Sequence, residues 1–364
     1  MRRTAALIVG GGPAGSAAAI MLGRAGLAAE LIERTSGPRD MVCGGFLGWD
    51  ALAALDRLGI DAWALGARPI ERVRLIGANR IVEARLPHRA AGLSRRILDE
   101  ALMGAAARAG ALVRRGVAVR AADGARRVRL DSGETIEAEA LLLATGKHEL
   151  RGLARPREAA AADPVIGFRT ALAPSVSLQQ ALDGVIELHL FDGGYAGLLL
   201  QEDGSANLCV SAARDRISRA GGIKELIAEL SKELPGFGER MHDAEAGEWQ
   251  AVAGIPYGWR ATGTAPGLFR LGDQGAVIAS LAGDGIAIAL ASGMEAAAAL
   301  LRHGPRGAEA FQAGFAARAR RPLTVASKLR RAAENGKTRR LLMRLLRWAP
   351  FLLSIGARLT RFGK

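Results

Sequence analysis

The sequence predicts an α/β protein in which a domain built on a parallel sheet is interleaved with a domain built on an antiparallel sheet. Residues 7–33 show the pattern strand, glycine turn, helix, strand, and residues 140–146 form a buried apolar run. A strand at 268–271 precedes a long helix over about 284–301, and alternating strands fill 164–213. A chain of 364 residues with 49% apolar residues can bury the cores of two domains.

The glycine turn has the spacing of a dinucleotide-binding fingerprint. Gly10, Gly12 and Gly15 follow the first strand directly. We expect Gly10 to make the tight turn, Gly12 to let the backbone approach a pyrophosphate and Gly15 to let the helix pack closely on the strand. The start of that helix offers free N–H groups to phosphates. Glu33, at the end of the second strand, is placed to accept hydrogen bonds from a ribose. These features predict a Rossmann-like domain.

Composition argues against several classes of protein. Two cysteines cannot form a disulfide framework or a four-cysteine metal site, and the five histidines lack ligand spacing. We therefore expect no metal and a reducing, cytoplasmic compartment. Arg2 and Arg3 before an apolar run resemble the start of a secretion signal. The sequence Gly-Gly-Gly-Pro at 10–13 breaks that run, which argues against export.

Positive charge is concentrated at the C-terminus. Of the net charge of +14, residues 318–364 hold fourteen Lys and Arg and one acidic residue, so the rest of the chain is nearly neutral. No nucleic-acid-binding motif accompanies this charge, and we expect no nucleic acid partner. Residues 336–364 combine leucines at helical spacing with arginines, and Pro350 and the charges exclude a membrane span. They form either a basic amphipathic segment on the inner face of the membrane or a helix packed on the body.

The predicted domains are discontinuous. Residues 1–163 and 250–335 form the dinucleotide-binding domain, with 70–92 as candidate strands of the substrate sheet. Residues 164–249 form the substrate domain, and 147–163 are a predicted crossing between the two. The chain has one dinucleotide fingerprint, so a nicotinamide, NAD(P)H, is expected only as a transient electron donor.

Two late motifs favour FAD as the bound dinucleotide. Gly272-Asp273 follows an apolar strand, where a carboxylate can bind ribityl hydroxyls. Gly283-x-Gly285 begins a helix whose N–H groups can meet the flavin pyrimidine oxygen.

Together with GGGPAG and Glu33, Ser94-Arg95-x-x-Leu98-Asp99 and Ala144-Thr145-Gly146, these motifs resemble the FAD-dependent monooxygenases of the p-hydroxybenzoate hydroxylase type and their relatives, the geranylgeranyl reductases. The resemblance covers about 4–335 and implies that Arg95 contacts the cofactor and Asp273 binds ribityl. Three departures are visible: ATG in place of A-D-G, Gln274 in place of a small residue and Ser280 in place of proline. The predicted FAD-binding residues are Gly10, Gly12, Pro13, Ala14, Gly15, Glu33, Arg34, Cys43, Gly44, Gly45, Arg95, Val119, Ala144, Thr145, Gly146, Gly272, Asp273, Gly283, Gly285 and Ile286.

Two residues are the catalytic candidates. Cys43 lies in a CGG segment that resembles the reductases, where a thiol beside the flavin could donate a proton; the alternative is a cysteine packed as a small apolar residue. Tyr195 could line the substrate pocket or be an ordinary strand aromatic. Near Tyr195 the reductases carry Tyr-x-Trp and then Phe-Pro, from which Gly197 and Leu199-Leu200 depart. His148 and Lys147 follow the ATG strand and could contact flavin or substrate.

The segments CGGFL, Ala144–Gly152 and Glu202–Cys209 are similar to the flavoproteins that accompany type III polyketide synthases. This similarity implies an NAD(P)H- and O2-dependent monooxygenase acting on an apolar, aromatic or phenolic, lipid-like small molecule. The alternatives are a C=C reductase of an isoprenoid lipid and a flavin-binding sensor or scaffold. A flavin halogenase is disfavoured, because the chain has no WxWxIP segment and no lysine before Lys147.

Overall fold

Two sheets organise the chain. The computed structural model describes residues 2–156, 165–242 and 244–362. The first sheet has the order β6-β2-β1-β9-β8-β7, and β15 also pairs with β9. Pairs among β6, β2, β1, β9 and β15 are parallel, whereas β8 pairs antiparallel with β7 and β9. Its strands are β1 (Arg2–Val9), β2 (Ala29–Glu33), β6 (Leu112–Arg115), β7 (Val119–Asp123), β8 (Arg127–Leu130), β9 (Thr135–Leu143) and β15 (Leu268–Arg270).

The second sheet is antiparallel except for one parallel pair, between β4 and β11. Its order is β14-β10-β13-β12-β11-β4-β5-β3. The candidate stretch 70–92 lies in this sheet, as parts of β4 and β5. Its strands are β3 (Phe46–Leu47), β4 (Arg68–Gly77), β5 (Arg80–Gly92), β10 (Val165–Leu172), β11 (Gly184–Phe191), β12 (Gly194–Leu200), β13 (Ala206–Ala213) and β14 (Gln250–Ala253).

The helices cover both sheets and the C-terminus. They are α1 (Pro13–Arg24), α2 (Trp49–Arg57), α3 (Arg95–Arg108), α4 (Val176–Leu182), α5 (Arg214–Ala220), α6 (Ile223–Glu233), α7 (Pro235–Met241), α8 (Gly285–His303), α9 (Gly307–Glu334), α10 (Gly336–Trp348) and α11 (Phe351–Leu359). The predicted α/β class, with its parallel region, antiparallel sheet and helical C-terminus, is confirmed.

Local differences from the sequence-based expectations have physical causes. Residues 111–119 contribute to two strands, β6 and β7, because Gly116 turns the chain between them with φ +71°. The helix α4, between β10 and β11, was not expected; Ser175 caps it by accepting the N–H of Leu178. Helix α6 ends at Glu233, and Pro235 then begins the short helix α7, since proline suits the first helical turn. Of the predicted crossing, residues 157–163 lie outside the described residues.

Helices α1 and α8 approach each other closely because small residues separate them. A Cβ atom built on Gly293 would lie 2.1 Å from the carbonyl oxygen of Ala14 and 3.0 Å from the Cβ of Ala17. Both helices share one buried core with the faces of β1 and β9 that carry Ile8 and Leu142. The close contact sets the position of the N-terminus of α8 relative to the glycine turn before α1.

Helices α8 and α9 also contain one apolar stretch whose length and composition would allow it to cross a membrane. Half of the most apolar part of this stretch is buried inside the fold. The same length and hydropathy occur in core helices of soluble proteins, and here α8 packs against α1.

We expect Gly293→Ala to lower the free energy of unfolding by about 1–3 kcal/mol, because the new methyl group overlaps backbone of α1. Gly314→Ala, in the exposed middle of α9 with no atom within 4 Å of the new Cβ, should instead raise it by about 0.5–1 kcal/mol. Urea unfolding of both variants measures the difference. Equal effects would contradict the close helix contact.

Candidate active site between the two sheets

One continuous cavity runs from the glycine turn to the inner face of the second sheet. It brings together both catalytic candidates, Cys43 and Tyr195, with eighteen of the twenty predicted FAD-binding residues. Gly15 and Gly45 are the two that do not line it. The predicted residues that line it are Gly10, Gly12, Pro13, Ala14, Glu33, Arg34, Cys43, Gly44, Arg95, Val119, Ala144, Thr145, Gly146, Gly272, Asp273, Gly283, Gly285 and Ile286.

The three fingerprint glycines meet different constraints. Gly10 has φ +109°, and a Cβ there would lie 2.4 Å from the carbonyl oxygen of Ala144. A Cβ on Gly15 would lie 1.9 Å from the carbonyl oxygen of Gly10, so Gly15 serves the packing of α1 under the turn. Gly12 has an ordinary φ of −71°, and its Cβ would approach only the Nη2 atom of Arg95, at 3.3 Å. The backbone conformation at position 12 therefore does not require glycine. The missing side chain of Gly12 instead keeps space open in the cavity.

Glu33 is held rigidly at the end of β2. Its Oε2 accepts the N–H of Gly11 at 2.7 Å, and its Oε1 accepts both the N–H and the hydroxyl of Thr35 at 2.9 Å. The next residue, Arg34, places Nη2 2.8 Å from Nε2 of His148. Burial, and then the charge of Arg34, lower the pKa of His148. A neutral imidazole and a fixed carboxylate thus line this end of the cavity.

Arg95 points into the cavity from the first turn of α3. Ser94 caps that helix by accepting the N–H of Ile97 at 3.2 Å. The Arg95 guanidinium forms a two-point pair with Asp99, at 2.8 and 2.7 Å. Burial opposes its charge, but Asp99 and Cys43 outweigh burial and raise the pKa of Arg95. A permanent positive charge therefore lies beside Gly12.

The ATG turn after β9 is tied to the Gly272-Asp273 turn after β15. Lys147 Nζ lies 3.1 Å from Asp273 Oδ2, and the charge of Asp273 raises the pKa of Lys147. Gln274, one of the three departures, is buried and donates to the carbonyl oxygens of Gly146 and His148 at 3.0 and 2.9 Å. Gln274, although it departs from the family pattern, therefore joins the turn after β15 to the turn after β9.

The start of α8 is held by the end of the chain. Asp284 is fully buried; its carboxylate pairs with Arg361 at 2.8 Å and accepts the N–H of Phe362 at 2.8 Å. The Arg361 guanidinium also lies 4.5 Å above the ring of Trp49. Burial raises the pKa of Asp284 to about 6, although Arg361 works in the opposite direction. Sequence reasoning missed this pair, because 77 residues separate its members.

Cys43 lies in the loop that joins the two sheets. Its carbonyl oxygen accepts Nδ2 of Asn207 on β13 at 3.0 Å, and its Sγ accepts the N–H of Gly45 at 3.5 Å. Arg169 on β10 supports this loop, with Nε donating to Asn207 and Nη1 paired with Asp40 at 3.1 Å. The second cysteine, Cys209, also lines the cavity, and burial raises its pKa to about 12.

A cluster of hydroxyl groups occupies the part of the cavity next to the second sheet. The Tyr257 hydroxyl lies 2.6 Å from Oγ of Ser280 and 3.4 Å from Oγ of Ser211. Tyr195 is buried in the same place, and burial followed by the nearby Tyr257 raises its pKa well above the usual value. The chain has two tyrosines, and both are here. Ser280, another departure from the family pattern, supplies the hydroxyl that lies 2.6 Å from that of Tyr257. Sequence reasoning missed Tyr257, although the scarcity of tyrosine is a signal visible in the composition.

Apolar side chains surround this hydroxyl cluster. They come from β11, β12, β13 and β14 and from the segments before α8, and they include Ile186, Leu188, Leu199, Val210, Val252, Ile255, Val277, Ile278 and Leu281. The arrangement suits an apolar molecule that carries a few hydroxyl or carbonyl groups.

Comparison with known proteins identifies the family. A family model described as an FAD binding domain matches residues 3–150. A menaquinone reductase of Mycobacterium tuberculosis is 30% identical over 316 residues, which cover 80% of this chain and 75% of the relative. The chain belongs to this family of FAD-binding oxidoreductases. A menaquinone reductase of Mycolicibacterium smegmatis is 29% identical over 81% of this chain and 76% of its own length.

A solved structure shows the same fold. A geranylgeranyl bacteriochlorophyll reductase-like protein from Thermoplasma acidophilum superposes with a TM-score of 0.71 at 20% identity, covering 86% of this chain and 82% of that protein. The fold predicted from the resemblance to the hydroxylases and geranylgeranyl reductases is thus confirmed. The family model and the mycobacterial relative show that the protein is an FAD-dependent oxidoreductase. Which residues hold FAD stays a prediction.

Gly12→Ala tests the predicted phosphate end of the FAD site. The backbone angle at Gly12 suits alanine, and the nearest atom is the movable end of Arg95, so the variant should unfold at the same temperature as the parent without cofactor. The methyl group would occupy the space expected for the pyrophosphate, and we expect FAD to bind about tenfold more weakly or worse. Fluorescence titration with FAD measures this, with Gly314→Ala as a control. An unchanged affinity would place the phosphates elsewhere.

The raised pKa of Asp284 predicts that the free energy of unfolding changes with pH. In the unfolded chain its carboxyl ionises near its ordinary pKa of 3.8, whereas in the folded protein it ionises at about 6. Raising the pH between these values therefore favours the unfolded chain, by at most about 1.4 kcal/mol per pH unit. Urea unfolding between about pH 4 and pH 6.5 should show this decline in the parent and a smaller one in Asp284→Asn. Parallel curves for the two proteins would contradict the assignment.

Proposed function

We propose that this protein is an FAD-dependent monooxygenase that uses NAD(P)H and O2 to hydroxylate a phenolic, lipid-like substrate. The observation that carries the proposal is the hydroxyl cluster of Tyr257, Ser280 and Ser211 inside an otherwise apolar pocket. Apolar walls suit the chain of such a lipid, and the hydroxyl cluster suits its phenol.

The described residues fit FAD. The open space at Gly12, the N-terminus of α1 and the charge of Arg95 suit the pyrophosphate. The fixed carboxylate of Glu33 would accept hydrogen bonds from the ribose, and Asp273 would do so from the ribityl chain. At Gly285, the first residue of α8, no atom lies within 4 Å of a built Cβ, so a flat ring can approach the helix N-terminus there. When bound, FAD accepts hydride from the nicotinamide and activates O2.

The chain's own residues would bind and activate the phenol. Tyr257 Oη and Ser280 Oγ can exchange hydrogen bonds with a phenol hydroxyl and hold its proton. The ammonium of Lys147, kept charged by Asp273, lines the same cavity as Tyr257 and would favour the more electron-rich phenolate form of the substrate. One oxygen atom of O2 enters the ring and the other leaves as water, with NAD(P)H as the reductant.

The walls of the cavity exclude water from the reacting groups. Tyr195, Leu199 and Ile278 are buried around the hydroxyl cluster. Gly197, where the reductases carry a tryptophan, lines the cavity, and a Cβ there would already touch Leu188 at 3.4 Å. A tryptophan would fill this space, so the glycine leaves room for a substrate ring.

A C=C reductase of an isoprenoid lipid is the second candidate, and two observations favour it. The relatives from both mycobacteria are named menaquinone reductases. Cys43, in the CGG segment shared with the reductases, lines the cavity beside Arg95 and could protonate a carbon after hydride transfer.

Oxygen dependence separates the two reactions. The FAD-loaded protein is supplied with NADH or NADPH and a panel of alkylresorcinols, quinols and prenyl lipids, in air and without O2. We expect a phenolic lipid to stimulate NAD(P)H oxidation and to gain one oxygen atom, which labelled O2 traces to the gas. Tyr257→Phe should lower kcat about tenfold or more, since the phenol loses a hydrogen-bonding partner.

Cys43→Ser is the matched variant for the second candidate. A hydroxylase should keep most of its activity, because the phenol is held by Tyr257 and Ser280. A saturated product formed without O2 and nearly lost in Cys43→Ser would overturn the hydroxylase in favour of the reductase. A yellow protein that consumes no NAD(P)H with any of these lipids would point to a sensor or scaffold instead.

A further inference from the structure

Helices α10 and α11 carry an unusual share of the protein's exposed apolar surface. Eleven large hydrophobic side chains are exposed in the described residues, and six of them lie within the nineteen residues 341–359. They are Leu341, Leu345, Trp348, Phe351, Ile355 and Leu359. Trp348 is the extreme case, with 89% of its surface exposed. Single exposed hydrophobics are ordinary, but a contiguous group marks a binding surface.

The six residues follow helical spacing, so they form two continuous stripes. On α10 the stripe is Leu341, Leu345 and Trp348, at intervals of four and three. On α11 it is Phe351, Ile355 and Leu359, at intervals of four. We call the two stripes together the C-terminal apolar face.

A basic stripe lies directly beside the C-terminal apolar face. Arg340, Arg344 and Arg347 are exposed and each precedes a residue of the α10 stripe by one position, which is about a quarter turn of helix. Residues 336–364 contain eight Lys and Arg and no acidic residue. Two copies of this face would repel each other, whereas an anionic surface with an apolar interior matches both stripes at once.

The opposite side of the two helices is packed on the wall of the cavity. Met343 and Leu346 are buried in a cluster that contains Tyr195, and Leu281 and Leu188 pack against the same cluster. Ser354 on α11 donates to the carbonyl oxygen of Arg85 at 2.8 Å, which holds α11 on β5. The end of the segment is anchored by Arg361 on Asp284. The C-terminal apolar face therefore lies on two helices that are held in place next to the cavity.

We propose that α10 and α11 dock this protein on the surface of an anionic lipid bilayer. The C-terminal apolar face enters the boundary between headgroups and acyl chains, and Arg340, Arg344 and Arg347 contact lipid phosphates. With thirteen and nine residues, the two helices are too short to span a bilayer and lie in its plane. In the docked protein, α10 and α11 place the apolar wall of the cavity close to the bilayer.

Vesicle binding by the FAD-loaded full chain tests this docking independently of any reaction. The vesicles contain phosphatidylcholine alone or phosphatidylcholine with about one third phosphatidylglycerol. We expect the yellow protein to sediment with the anionic vesicles, to bind the neutral ones weakly, and to dissociate as salt is raised. Leu345→Ser should weaken partitioning about tenfold. Arg340→Gln with Arg344→Gln should weaken it about 25-fold.

Each change has a matched control elsewhere on the surface. Leu112→Ser removes an equally exposed leucine, 55% against 53% for Leu345, from the edge strand β6. Arg126→Gln with Arg129→Gln removes two exposed arginines from around β8. Both controls should bind vesicles as the parent does. Should Leu345→Ser fail to retain FAD, Trp348→Ala replaces it, since that side chain is almost fully exposed.

Three results would overturn the docking. One is a parent protein that does not bind anionic vesicles, and another is binding that the tail variants and the controls lose equally. The third is a dimer, seen by light scattering without lipid, that Leu345→Ser disperses, because the C-terminal apolar face would then be covered by a second copy.

Discussion

The close approach of backbone to backbone around the glycine turn is the constraint on which the rest of the structure depends. Gly10, Gly15 and Gly293 each occupy a position where a Cβ would lie within 2.4 Å of a carbonyl oxygen. These contacts press β9, α1 and α8 together, and so bring the N-termini of both helices to one cavity. A parallel sheet with two converging helix N-termini favours an anionic, extended ligand. The identity of the protein as an FAD-binding oxidoreductase agrees with this geometry.

The second sheet completes the cavity that begins at the glycine turn. Asn207 and Arg169, both on strands of the second sheet, hold the loop that carries Cys43. Side-chain hydrogen bonds therefore fix the chain where it passes from one sheet to the other. Two departures from the family pattern have physical roles here. Gln274 joins the turns after β9 and β15, and Ser280 joins Tyr257 to the neighbourhood of Tyr195. Both departures thus hold together segments that line the cavity.

Much of the site could be predicted from local sequence, because its cofactor half is built from short motifs. The glycine spacing, the cap at Ser94 and the Gly272-Asp273 turn each act over a few residues, and most of the predicted residues line one cavity. The part of the cavity next to the second sheet could not be predicted in the same way. Tyr257, Ser211 and Ser280 come from three separate segments that have no shared motif. Helix α4 was not predicted because seven residues are too few to show a clear helical periodicity.

The C-terminal segment shows the same division. Its basic, amphipathic character follows from the sequence alone, because the spacing of leucine and arginine is a local property. The sequence left open whether the segment packs on the body or meets a membrane. The tertiary structure shows that Leu346 is buried beside the cavity while Leu345 faces outward, and that Arg361 reaches Asp284. The sequence by itself determined the fold class and the cofactor, since strand, turn and helix signals are local. Only the tertiary structure decided which distant residues meet at the end of the cavity next to the second sheet, because such contacts depend on how the two sheets pack.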